Sequence, residues 1–421
     1  MGSIQHSELL RLAQTVLQAT SAIVKDLEKT NQPEPTFSQD SSVIKGGDDY
    51  EATRIQLNDA AHDLLSLVNG PLTEFRAFFT TQYDLAAYQI ALELGLFGIV
   101  PLGGSITLSE LARKVPMDED RCGRVVKHLA SQHVFHEIEE DVFEHSAASA
   151  LVAKDSDIEA LLLTQIDEMF RAASESSTCV LKAPFESDSI NSPFATRHGK
   201  PLYGWYADNP AKGGRFAKAM AGVGQMDRQI SELRNEFPWE TLGGGKVVDV
   251  GGGSGHVSIY LASQYPELKF VVQDSEFHML AEAQSKLTPN IAKRVQFMQH
   301  DFFSEQPVTD ASAFFMRQCT HNWNDRDCIK IFRALVPALE KCKPGTRLLI
   351  NDAVLPELNQ ISKFEEHSLR QFDMAMFVIL GAKQRSEKEF RKLLQEADSR
   401  FEVVKVHGTN AMGLVEAFLN I

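Results

Sequence analysis

Apolar residues recur at helical spacing between Ser7 and Glu28, at Leu10, Val16, Leu17, Ile23 and Leu27, and predict an N-terminal helix. The next stretch, KTNQPEPTFSQDSSVIKGGDDYE, is polar and rich in Pro, Gly and Ser, so residues near 29–52 are expected to be a flexible loop or disordered insert. Helical periodicity resumes from Thr53 to Val68 and again from Leu72 to Leu94. From about Asp84 to Asp155 the pattern is that of a winged helix-turn-helix. DLAAYQIALELGLFGIV is one helix ending near Gly95, and TLSELARKV is a second, with Thr107 or Ser109 able to cap it. DEDRCGRVVKHLASQHVF is a third, and FHEIEEDVFEHS alternates like a hairpin wing. Residues 156–240 read as mostly helical, interrupted by an exposed link, KAPFESDSINSPFATRHGKP. Trp205, Tyr206, Phe216, Met220 and Val223 are apolar positions that suit either a pocket wall or the core.

From Lys246 the period changes. KVVDV, KFVVQD, RVQFMQHD, ASAFFMR and RLLINDAVL are apolar strand-like runs separated by helical segments, which implies a parallel sheet. FEVVKVHG and NAMGLVEAFL have the character of antiparallel closing strands. The fold class expected is α/β: a Rossmann-like domain over 241–421, preceded by a helical and winged-helix domain over 1–155 and a helical connection over 156–240.

The first of these strands runs into Gly251, Gly252, Gly253 and Gly255, where missing side chains let the backbone turn tightly and approach a ligand. A dinucleotide loop has the spacing GxGxxG, but here His256 stands where its third glycine would be. GxGxG preceded by the acid Asp249 suits S-adenosylmethionine better. Asp274 ends the second strand, where a carboxylate can accept from both ribose hydroxyls. Asp301 and Phe302 end the third, suited to an adenine amino group and ring face.

Charge and composition narrow the classes. The formal net charge of -15 argues against a nucleic-acid partner. Within Asp84–Asp155, six Lys and Arg face twelve Asp and Glu, so the winged segment is expected to pack or dimerise rather than bind DNA. The five cysteines are scattered without a CxxC pair, which indicates neither a metal site nor a disulfide framework and suits a reducing, cytoplasmic setting. There is no apolar run long enough to span a membrane, Met1–Ser7 lacks the features of a signal peptide, and Gly2 alone does not argue for an acyl anchor.

The segments VVDVGGGSG, VVQD, HDFF, MRQCTHNWNDRDCIKIF, LINDAVLPE and GAKQRSEKEF resemble class I methyltransferases of the caffeic-acid O-methyltransferase type, in particular fungal members acting on secondary metabolites. The likeness runs from about Tyr203 to Leu419, and more loosely from Asp84. It implies an S-adenosylmethionine-binding catalytic domain, a small-molecule substrate, and a homodimer formed through the N-terminal region. It places His321 in the position of the family's general base, within a family HDW pattern that here reads HNW, with Asp352 orienting the ring. A second acid of the family falls at Gln384, so one of two flanking carboxylates is absent. Arg317 is expected near the cofactor; Phe372, Met376, Phe377 and Met220, with the helix from Met220 to Met226, are expected to line the substrate pocket.

Two reactions follow from the resemblance. One is O-methylation of a polyketide-type or aromatic hydroxyl, for which a neutral imidazole is a sensible base. The other is a pericyclic or dehydration reaction of the kind some fungal members carry out while binding S-adenosylmethionine without consuming it, with His321 or Arg317 acting as donors. A winged-helix DNA-binding protein is the remote third reading.

Overall fold

The computed structural model describes residues 7–226, 233, 237–408 and 412–421. Residues 1–6, the side chain of Met226, and Asn410 and Ala411 at the start of the last expected strand lie outside the described residues. The chain divides into two compact units that interleave in sequence: Met1–Arg171 with Tyr206–Met226 and Ile361–His367, and the remainder. Residues 156–240 are therefore shared between the units.

In the first unit, helix Glu8–Lys29 starts where Ser7 Oγ accepts from Leu10 N at 3.4 Å. A second helical stretch, Asp48–Glu93, is broken at Gly70, whose φ of 69° and following Pro71 end one helix and begin another. The polar insert is shorter than expected and tied down. Ala147 N donates to Phe37 O at 2.9 Å, and the Phe37 ring stacks on His133 at 4.0 Å. Backbone pairing and one aromatic anchor outweigh its polar composition. Helix Leu108–Arg113 opens on a capping box between Thr107 and Glu110, and helix Glu119–Ala130 is capped by Asp118. The wing has three strands, with β1 (Ser105–Thr107) beside β3 (Val142–His145) and β2 (Phe135–Glu139). Its core includes Leu96, Phe97, Leu111, Cys122, Val126 and Phe143.

Helix Pro210–Met226 is joined to the 156–169 segment by ions. Arg215 Nη2 lies 2.7 Å from both Asp167 Oδ2 and Glu168 Oε1, and Lys212 also pairs with Asp167. Tyr206, buried and stacked on Phe216 at 4.7 Å, belongs to this unit's core rather than to a pocket wall.

The second unit is built on an eight-stranded sheet: β4 (Lys246–Val250), β5 (Lys269–Asp274), β6 (Val295–Gln299), β7 (Ala313–Arg317), β8 (Arg347–Leu355), β9 (Arg385–Ser386), β10 (Phe401–His407) and β11 (Met412–Leu419). The order is β10-β11-β8-β7-β4-β5-β6, with the two-residue β9 pairing β8. Strands β4 to β8 run parallel, while β11 is antiparallel to both β8 and β10. Layers on both faces explain the near-continuous apolar runs of the central strands. Helix Asp325–Leu339 shows how a face is covered. Its buried residues, Cys328, Ile331, Phe332, Leu335 and Leu339, recur at helical spacing. The link expected to be exposed contains a helix, Pro193–His198, whose Phe194 is fully buried. Among the described residues, no helix is long and apolar enough to cross a membrane, and no cluster of His, Cys, Asp or Glu could hold a metal.

Candidate functional site

The loop and strand-end residues singled out from sequence lie at or just beyond the carboxyl ends of the parallel strands, where open α/β sheets bind ligands, and Phe372 reaches His321 from helix Lys363–Leu380. The turn after β4 alternates into the left-handed region at Gly251 (φ 73°), Gly253 (φ 56°) and Gly255 (φ 70°), the last leading into helix His256–Gln264. A Cβ on Gly251 would sit 3.2 Å from Cys319 Sγ and 3.4 Å from the Phe302 ring, filling the space where strand ends and loop converge. On Gly253 it would meet nothing nearer than Met279 Cε at 3.9 Å, so that residue is on the open side of the loop.

Carboxylates hold this loop. Asp249, at the end of β4, is buried, and its Oδ2 accepts from Ser258 Oγ at 2.6 Å. Burial pushes its carboxyl up to about 6, with the Ser258 hydrogen bond opposing the rise. Asp274 Oδ2 accepts from Gly253 N at 3.0 Å, which ties the end of β5 to the glycine turn. Asp301 is exposed, and its Oδ1 accepts from Phe303 N at 3.0 Å. The Phe302 ring packs edge-on against Trp323 at 5.8 Å. Arg317, the last residue of β7, donates to Asn351 Oδ1. Its cation and burial together lower the pKa of His256, burial contributing more. The donor set, the open face at Gly253 and the left-handed turn fit S-adenosylmethionine: polar carboxylates at two strand ends, an aromatic face at a third, and backbone free of side chains between them.

Beyond Arg317 the chain turns sharply. Gln318 takes a φ of 47° and donates its N–H to Asn351 O at 2.9 Å. Residues Thr320–Asn322 form one tight turn closed by Asn322 Nδ2 donating to Gln318 O at 3.2 Å. Asn322, where the family motif has Asp, thus serves the turn. Asn324 then caps helix Asp325–Leu339 through Asp327 N at 2.9 Å. His321 is 7% exposed, with the Phe372 ring edge-on to it at 5.7 Å.

The partners of His321 differ from the expectation. Asp352 Oδ1 lies 3.8 Å from Nδ1, beyond hydrogen-bond range, while Oδ2 accepts from Thr320 N at 3.1 Å and from the Thr320 hydroxyl. Gln384 comes closer, its Nε2 being 3.1 Å from Nδ1. Asp373 Oδ1 fixes Gln384 by accepting its backbone N–H at 2.7 Å. The position read as a lost acid is therefore the direct neighbour of the imidazole, and the retained acid acts on the turn that carries it.

Of the expected pocket residues, Phe372 faces His321 and Phe377 is half-buried, whereas Met376 is buried and ends a helix through its carbonyl, which accepts from Ala382 N at 3.2 Å. Met220 belongs to the first unit and is 41% exposed. Sequence reasoning missed Thr320, Asp373 and Arg385. The last is a buried cation in a chain where such residues are normally at the surface, and only its place beside Gln384 could have drawn notice.

Residues 179–400 match the O-methyltransferase domain, and residues 81–155 the O-methyltransferase dimerisation domain. O-methyltransferase sol2 of Alternaria solani is 45% identical over 99% of this chain and 96% of its own. The grayanic acid biosynthesis cluster O-methyltransferase of Cladonia grayi is 32% identical over 98% of this chain and 88% of its own. Among solved structures, OxaC superposes with a TM-score of 0.77 at 22% identity, covering 98% of this chain and 99% of that one. The strand-end carboxylates, the glycine turn and these full-length likenesses together show that the chain belongs to the O-methyltransferase family, as an S-adenosylmethionine-dependent enzyme with an N-terminal dimerisation domain.

Proposed function

We propose that the chain methylates a hydroxyl of a small aromatic or polyketide-type metabolite, with His321 as general base. One contact supports this most: the 3.1 Å approach of Gln384 to His321 Nδ1. A side chain at Nδ1 directs the other ring nitrogen, Nε2, to the acceptor. The amide has two orientations at the same distance. With Oε1 toward the ring, Nδ1–H donates to it and Nε2 holds a basic lone pair. That orientation pairs Gln384 Oε1 with the ring and moves the amide nitrogen into the buried place Oε1 leaves, so hydrogen-bond satisfaction is the same in both and the ring's task as a base selects between them. Asp352 Oδ1, buried without a hydrogen-bond partner, adds a negative group 3.8 Å from Nδ1 that favours the protonated ring once it has taken the acceptor's proton.

S-adenosylmethionine, when bound, supplies a methyl group on a sulfonium that is open to in-line displacement. Gly251, Gly253 and Gly255 would give it close access to the backbone, Asp274 would accept from ribose hydroxyls, and Asp301 and Phe302 would receive the adenine. A free phenol ionises at about 10, so the hydroxyl needs a base at neutral pH. His321 Nε2 accepts that proton as the oxygen attacks, and Phe372 helps exclude water from the ring. A second copy of this chain is the partner we infer for the first unit. Leu72, Phe75 and Phe79 lie on one helix face at 85%, 65% and 57% exposure, an apolar stripe of the kind an interface covers.

The experiment is methyl transfer from labelled S-adenosylmethionine to chlorophenols and hydroxylated polyketides. His321→Ala should retain cofactor binding and lose about 10²–10⁴-fold in rate, the range of general acid–base catalysis. Adenosylhomocysteine should form one-for-one with methylated product. Substrate conversion that leaves the cofactor intact would instead favour a dehydratase or pericyclase.

A further inference from the structure

Arg385 is 1% exposed and ranks among the largest fully buried side chains described. Its guanidinium spends its donors on the His321 turn. Nη1 donates to Thr320 O at 2.9 Å and Nη2 to Trp323 O at 2.7 Å, the carbonyls immediately before and two residues after His321. Nε donates to Asp325 Oδ1 at 3.0 Å, in the first turn of the following helix. Asp325 is in turn held by Lys383 Nζ at 3.2 Å, and Lys383 by Glu389 Oε1 at 2.7 Å.

Thr320 O also accepts from Trp323 N at 3.2 Å and Cys328 Sγ at 3.3 Å, and Trp323 O from Cys328 Sγ at 3.7 Å, so the guanidinium adds charged, stronger donors to carbonyls otherwise held by one turn bond and a weak thiol. A planar fork can reach two of them and a carboxylate at once, whereas an ammonium cannot. Residue 385 is itself fixed by pairing with Val354 across β8 and β9, two residues beyond Asp352. Neighbouring residues of an extended chain point to opposite sides. Gln384 accordingly meets the imidazole while Arg385 meets the backbone that carries it.

We infer that Arg385 is a positioning residue: its buried fork, bound to the carbonyls of Thr320 and Trp323, sets the orientation of the His321 ring against Gln384. It touches no reacting atom in this scheme. The inference deepens the reading of His321 as base and rests on it for its catalytic meaning, but the geometry can be tested without any acceptor substrate.

The test uses the full chain as Arg385→Met and Arg385→Lys, with His321→Ala to assign the ring signals. Long-range ¹⁵N–¹H spectra report the His321 tautomer, hydrogen exchange reports the amides of residues 320–324, and calorimetry reports S-adenosylmethionine binding. In the wild type one tautomer should dominate. In both variants the His321 ring should show averaged tautomers, and the turn's amides should exchange about ten- to a hundredfold faster through local opening. Cofactor affinity should stay within about twofold, since the Arg385 contacts described do not involve the glycine turn. Should Arg385→Met fail to fold, Arg385→Lys keeps the charge and gives the same readout. A folded variant with an unchanged His321 tautomer and unchanged exchange at 320–324 overturns the inference. So does full restoration of both by lysine, which would make charge rather than the fork decisive. These outcomes are separate from the base assignment, which stands or falls on methyl transfer by His321→Ala.

Discussion

Replacing Gln384 by Glu puts a carboxylate where an amide now lies 3.1 Å from His321 Nδ1. At an effective dielectric of about 20, unit charges at that separation attract by about 5 kcal/mol. Burying a second carboxylate near Asp352, itself 3.8 Å from the ring, opposes this through desolvation and like-charge repulsion. The net effect expected is the range seen for a close opposite charge, a rise of about one to three units in the imidazole pKa. A ring titration followed by NMR should show that rise directly. In the rate profile the acid limb should move to higher pH by the same amount, so the variant loses activity at pH 6. On the plateau it should gain roughly threefold, if about half of one added unit of basicity is felt in the transition state. Gln384→Leu should remove the hydrogen bond without adding charge, releasing the ring to both tautomers and lowering the plateau. If Gln384→Glu leaves both the ring titration and the acid limb in place, the amide is not the imidazole's partner and His321 is not the base.

Three further outcomes follow from the same structure. Asp249 has its carboxyl raised by burial to about 6, above its ordinary 3.8, so its contribution to stability is complete below 3.8 and is lost as pH rises through 6. Asp249→Asn should therefore gain on the order of 2–3 kcal/mol relative to wild type between pH 4 and pH 7.5 in urea unfolding, and a flat difference would contradict the burial argument. All five cysteines are buried, with the Cys328 thiol pushed up to about 12 and that of Cys319 also well up, so Ellman's reagent should find no fast thiol until the protein is denatured. Phe75→Glu combined with Phe79→Glu should give a monomer by sedimentation if the exposed stripe meets a second copy, and a dimer that persists would place the interface elsewhere.

The strands, the glycine turn and the strand-end acids were legible because each is a local pattern. KVVDV followed by glycines is both a buried strand and a turn that side chains would obstruct, and β4 and Gly251 fall where that pattern puts them. The loop expected near 29–52 is shorter because the second helix begins at Asp48, and its middle is held by a bridge from Ser38 to Ser146 and by Phe37 stacked on His133, partners more than ninety residues away. Where these side chains fall in the fold was legible, but not how they are wired. A motif match locates His321 and Asp352, and the natural inference pairs them, since carboxylate and imidazole are complementary. Which atom meets Nδ1 depends instead on two long-range placements, β9 against β8 and Thr320 on Asp352 Oδ2, and on Asp373 holding the Gln384 backbone. None of these has a sequence period. Asp352 is committed through one oxygen to holding the Thr320 turn, and Arg385 holds the same turn's carbonyls from another side. The acid that seemed to be lost at position 384 is thus better understood as a division of labour. Charge is kept on the turn, and a neutral amide that can both donate and accept is placed on the ring. For the base proposed here, a neutral amide avoids the added proton affinity that a carboxylate at the same place would bring, which favours release of the proton after each turnover.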